Sequence, residues 1–190
     1  MPSERQKPSK TASSTTNANR SESKRPTGAV KRSTGAAIDA VELLKADHKQ
    51  VAEWFEQFES ARSAKSKQEL AEQICAALTA HAAMEEEIFY PAFLEATGET
   101  DLHHEAEVEH QGAKTLIEQI EASDPEDEYF DAKVTVLAEL VRHHVNEEEQ
   151  TGGMFDKARE SEMDLHSLGD QLQARKDEMA ADTPSQRRAS

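Results

Sequence analysis

The sequence predicts an all-α protein: an up-down four-helix bundle with an additional C-terminal helix and a disordered N-terminal tail. Three observations lead there. Apolar residues recur at alternating intervals of three and four along four long segments, the spacing that gathers them on one helical face. Gly (7) and Pro (6) are scarce while Ala, Glu, Gln and Leu abound, which favours helix over sheet. The chain also repeats itself. HKQVAEWFEQFESA from His48 aligns with HQGAKTLIEQIEAS from His110, placing Glu56-Gln57 on Glu118-Gln119 and Phe58 on Ile120. Two copies of a helical hairpin make a four-helix bundle.

A chain of 190 residues is long enough for one domain with a real core. Its charge is uneven. Residues 1–35 hold Arg5, Lys7, Lys10, Arg20, Lys24, Arg25, Lys31 and Arg32 against Glu4 and Glu22, a net +6, so the remainder carries −22 of the total −16. This tail has almost nothing to bury and is expected to be disordered. No aromatic residue interrupts it, so it offers no stacking platform for single strands, and a solubilising role is preferred over nucleic-acid contact. The expected boundaries are a disordered basic tail over 1–35, a helical domain over 36–178 and a disordered end over 179–190. The single cysteine, Cys75, excludes an intramolecular disulfide and reads as core packing. No apolar run reaches membrane-spanning length and no secretory signal is evident, so a cytoplasmic location is expected.

The first helix is expected from Ala36 to Ala61, with Val41, Leu44, His48, Val51, Phe55 and Phe58 on its apolar face. After a polar connection over Ser63–Lys67, the second presents Leu70, Ile74, Leu78, His81, Glu85, Ile88 and Ala92 and stops at Thr97-Gly98. The third, Glu99 to Ala122, presents His103, Ala106, His110, Ala113, Ile117 and Ile120 before Asp124-Pro125 breaks it. The fourth is expected from Glu126, with Phe130, Val134, Leu137, Val141, His144 and Glu148 in line, until Gly152-Gly153. Met154 to about Met179 reads as a fifth, broken helix with Leu165, Leu168 and Leu172 as its contact edge.

Ionisable side chains thus stand on all four core faces. A lone histidine there is ordinarily a satisfied core residue, and EEE runs are ordinarily solvated. The conjunction is different: His48, His81, His110 and His144 sit mid-stripe on four helices, and Glu85 and Glu148 follow His81 and His144 by one turn. Two buried carboxylates facing four imidazoles need an explanation, and cations supply one. Imidazole favours iron, manganese or zinc over calcium, and carboxylates can bridge two ions, so each metal would take two histidines and share both glutamates. His143 and Glu147 have the same spacing but are rotated about 100° from the face of Val134, Leu137 and Val141.

The constellation H…HxxxE…H…HxxxE resembles the hemerythrin-like HHE cation-binding family, over roughly residues 38–178, and the run Glu87-Ile88-Phe89-Tyr90-Pro91 looks like the family's. The resemblance implies an oxygen-reactive centre of two iron ions with an oxo or hydroxo bridge. His48 and His81 would hold one iron, His110 and His144 the other, and Glu85 and Glu148 would bridge. Dioxygen, hydrogen peroxide or nitric oxide are the implied partners. Members carry or sense oxygen, buffer or sense iron, or consume peroxide or nitric oxide. Oxygen-carrying members have a further histidine where this chain has Ala106, with His103 and Glu107 as the nearby substitutes. The missing ligand favours turnover, chiefly of peroxide, over carriage, sensing or storage. Tyr90, five residues past Glu85, falls off the ligand face of an ordinary α-helix and is expected to be packing.

Overall fold

The computed structural model describes residues 39–182. The expectations for residues 1–35, for helix at 36–38 and for residues 183–190 lie outside the described residues. Within them the chain is helical, with no strand. Helix α1 spans Ala40–Ser60 and α2 Ala64–Met84. A π-helical turn at Glu85–Phe89 leads without a break into α3, Tyr90–Thr97. Helix α4 covers Thr100–Glu121, α5 Phe130–Glu149, α6 Met154–Glu160 and α7 Leu165–Asp182.

The starts and stops have local causes. Asp39 accepts the backbone N–H of Glu42 at 2.8 Å and caps α1, and Ser63 caps α2 through the N–H of Ser66. Gly98 ends α3 with φ 71°, the left-handed cap conformation that glycine adopts without penalty. Helix α5 begins at Phe130 rather than Glu126, because Asp124 and Asp127 accept the N–H groups of Glu126 and Tyr129 and hold the segment in turns. The expected fifth helix is two helices, broken at residues 161–164. At its far end, α7 continues through Asp182, past the expected boundary at residue 178.

The π turn follows from Pro91. This residue has no N–H, and in a regular helix its ring would press on the carbonyl of Glu87. The preceding turn is wider instead, and the N–H of Tyr90 bonds to the carbonyl of Glu85, five residues back.

Two hydrophobic clusters fill the bundle. One holds Val51, Phe55, Phe58, Ile74, Cys75, Ile117, Ile120, Phe130, Val134 and Leu137. The other holds Leu43, Leu44, Met84, Phe89, Tyr90, Phe93 and Ala106, together with Met154, Phe155, Leu168 and Leu172 from α6 and α7. On each of the four long helices the histidine lies between these clusters. Helix α7 packs on α1, α2 and the π turn, so the fifth element closes one end of the bundle.

Candidate metal centre

The six predicted residues converge in one buried layer. His48, His81, His110 and His144 are each 5–7% exposed, Glu85 is 0% and Glu148 1%. Nε2 of His48 lies 2.9 Å from Nε2 of His81, and Nε2 of His110 lies 3.2 Å from Nε2 of His144. Glu85 reaches Nε2 of His81 with Oε1 at 3.2 Å and Nε2 of His110 with Oε2 at 3.3 Å. Glu148 Oε2 lies 3.5 Å from Nε2 of His48 and 3.6 Å from Nε2 of His144. Each carboxylate therefore spans from the histidine one turn before it to the first histidine of the other hairpin. By contrast His143 is exposed and turns to Glu109, as its rotation off the face predicts.

The outward nitrogens decide which way the inward ones face. His48 Nδ1 donates to Glu149 at 2.8 Å, His110 Nδ1 to Glu86 at 3.0 Å and His144 Nδ1 to Glu109 at 2.8 Å. A carboxylate can only accept here, so Nδ1 carries the proton and Nε2 turns a lone pair inward. His81 is the exception. Its Nδ1 stands 3.8 Å from Asp47, too far for a hydrogen bond, while Lys176 of α7 holds the other oxygen of Asp47. These four carboxylates obey the repeat: Asp47 and Glu109 precede aligned histidines, and Glu86 and Glu149 follow aligned glutamates. Sequence reasoning missed them because Glu86 and Glu149 lie in EEE runs read as solvated, and Asp47 and Glu109 stand one position off the apolar stripe of their helices. The signal was there, as acids at matching positions in both copies.

Tyr90 corrects an expectation. Its hydroxyl donates to Glu148 Oε1 at 3.1 Å and lies 3.3 Å from Nε2 of His110. The π turn adds a residue to the helical turn, so a side chain five positions past Glu85 comes onto the face that a regular helix would give to the fourth. Burial, with Glu85 and Glu148 beside it, raises the Tyr90 phenol well above its ordinary value, so the proton stays on the oxygen.

The donor set fits metal. Imidazole lone pairs about 3 Å apart repel unless a proton or cation lies between them. Both oxygens of Glu85 and Oε2 of Glu148 are buried without a hydrogen-bond partner. In the metal-free chain protons relieve part of this. Burial and then the charge on Glu85 raise Glu148 to about 8. Burial depresses His81, but Glu85 and Asp47 more than reverse it, to about 10. Two candidate groups emerge, His48–His81–Glu85 and Glu85–His110–His144, with Glu85 common to both. A third, His103–His104–Glu107, lies apart from them. His103 and Glu107 face each other and do not group with the residues of the layer, and Ala106 offers it no ligand.

A cavity of about 40 Å³ opens against all four histidines, walled by Val51, Leu78, Ile117, Leu140 and Val141. On the other side Phe155 stacks on His48, with ring centroids 5.7 Å apart.

Residues 39–152 match the hemerythrin HHE cation binding domain. The chain is 36% identical over 110 residues to a DNA nickase of Nostoc sp. (strain PCC 7120), an alignment covering 58% of this chain and 31% of that protein. It therefore spans about a third of that relative. The fold is similar to the crystal structure of a hemerythrin HHE cation binding domain-containing protein from Mycobacterium kansasii. That similarity has a TM-score of 0.65 at 20% identity and covers 75% of this chain and 87% of the other. With its all-helical bundle, its buried His/Glu layer and this match over more than half its length, the chain belongs to the hemerythrin HHE cation-binding domain family.

Proposed function

We propose that this protein holds two iron ions and reacts with small oxygen species, chiefly by converting hydrogen peroxide to water and dioxygen. The observation that carries the reading is the pairing of inward Nε2 atoms across shared carboxylates, of which both oxygens of Glu85 and Oε2 of Glu148 have no hydrogen-bond partner. His48 and His81 would hold one ion, His110 and His144 the other, and Glu85 and Glu148 would span them. When bound, the iron pair supplies the redox change and the open coordination positions that a peroxide needs.

The chain's own residues supply the surroundings. The cavity of about 40 Å³ has room for only a few water-sized molecules and excludes bulky substrates. Tyr90 holds a proton at its hydroxyl beside Glu148 and His110, where a reduced oxygen species would need one. Ala106 offers no ligand and His103 faces Glu107 rather than the layer, so both ions would keep open positions, which favours turnover over carriage.

A second reading, oxygen or iron binding, sensing or storage without turnover, uses the same residues. Anaerobic loading with iron, followed by mixing with oxygen and separately with peroxide, separates the two. Catalytic evolution of dioxygen from peroxide supports turnover. A long-lived oxygenated species that returns to the ferrous state when oxygen is removed, without added reductant, would falsify it. The similarity to a nickase motivates one more assay, nicking of supercoiled plasmid, in which activity lost with the iron would bring nucleic acid within the function of this site.

A further inference from the structure

The N-terminal part of α4 carries a third His-x-x-x-Glu pair, His103 and Glu107, at the spacing of His81 with Glu85 and His144 with Glu148. Its environment differs: His103 is half-buried, and His104 and Glu107 are exposed. Nδ1 of His103 is shielded from solvent and has no hydrogen-bond partner. The acceptor it faces, Oε2 of Glu107, is 3.8 Å away, beyond hydrogen-bond reach. Two ligand atoms, each about 2.1 Å from one ion at the tetrahedral angle, lie about 3.4 Å apart, so a small closure brings this pair into the range that a shared ion imposes. His104 supplies a third donor: one ligand atom from each of the three residues lies within 4.8 Å of the others.

We propose that His103, His104 and Glu107 form a second metal site, solvent-facing and separate from the buried layer, that takes one divalent transition-metal ion. Two imidazoles and one carboxylate favour zinc, ferrous iron or cobalt over calcium or magnesium, whose preferred ligands are oxygen. Water completes the coordination, because His104 and Glu107 are exposed. The α4 N-terminus opposes a cation through its helix dipole, and Asp101 in the first turn of the helix adds negative charge at that end. Only one ring separates the site from the buried layer: His103 packs edge-on against Tyr90, with centroids 5.9 Å apart, and Tyr90 bonds to Glu148.

The inference does not depend on what the buried layer does, and cobalt titration of the full metal-free chain tests it. Equilibrium dialysis over graded free Co²⁺, read with the visible absorption of the bound ion, is compared between wild type and the double variant His104→Ala/Glu107→Ala. Both substituted side chains are exposed, so the variant is expected to fold and to melt as wild type does. The variant should bind one equivalent fewer, the weakest, with the tighter equivalents unchanged. Equal cobalt counts in the two proteins would overturn the site and leave His103–Glu107 as an ordinary ion pair. The variant His81→Ala/Glu85→Ala should lose tight equivalents and keep the weak one. If it loses nothing, the reading of the buried layer fails while this one stands.

Discussion

Tyr90 and Glu148 show how one side chain can belong to both packing and chemistry. Tyr90 is fully buried among Phe89, Phe93 and Phe155, yet its hydroxyl is the hydrogen-bond donor to a carboxylate whose other oxygen has none. Tyr90→Phe keeps the ring and removes that donor. It should lower the unfolding free energy of the metal-free protein by about 1–3 kcal/mol, since a buried acceptor loses its partner. An unchanged denaturation midpoint would show that the bond contributes nothing. Cys75 offers a second check at this scale. Burial, helped by Glu121, pushes its thiol up to about 12, so the folded protein holds almost no thiolate at pH 8. Alkylation by iodoacetamide should then proceed only at the rate of global unfolding and jump in denaturant. Because its folded pKa lies above its ordinary 9.0, the thiol contributes stability below that pH and loses it as pH rises toward 12.

Among the elements, the turn into α6 is the most constrained. Gly153 follows Gly152, whose φ is 76°, and a Cβ at Gly153 would lie 2.4 Å from the carbonyl oxygen of Glu147 and 2.9 Å from those of Glu148 and Gln150. These are backbone atoms at the end of α5, so they cannot swing aside as a flexible side chain can. Gly153→Ala should therefore lower the melting temperature and reduce bound metal together, because the displaced backbone carries Glu148. If the variant melts and loads like wild type, the turn has more freedom than the close approach implies. Helix α6 also brings Phe155 onto His48, and Phe155→Ala should cost about 3–5 kcal/mol by leaving a cavity in the closed end of the bundle.

For the whole molecule, the bundle places a charged layer between two apolar clusters, and folding must bear its desolvation. Metal that binds only the assembled layer stabilises the native state by linkage, so the loaded protein should melt well above the metal-free form. His81→Ala and Glu148→Ala should each lower the metal content and shrink that gap. Equal melting of loaded and metal-free wild type would argue against a core site. The family match ends at residue 152, yet α6 and α7 supply Phe155, Leu168 and Leu172 to one cluster and Lys176 to Asp47. Among the described residues no helix is long and apolar enough to cross a membrane.

The helical period, the composition and the internal repeat together determined the bundle, and the six residues of the layer could be chosen from the sequence. His144 was separable from His143 because a 100° step per residue puts only one of them in line with Val134, Leu137 and Val141. That inference holds wherever the helix is regular. It failed at Tyr90, since the Pro91-linked π turn changes the residues per turn, and a pattern that assumes 3.6 cannot register the change. The outer carboxylates were visible as letters but not as partners. Glu149 meets His48 from across the bundle, 101 positions away in the chain, and Asp47 is drawn toward Lys176 from 129 positions away. Contacts between helices depend on how the hairpins and α7 dock, which the periodicity within one helix does not encode. The lone-pair directions of His48, His110 and His144 are therefore a property of the tertiary structure.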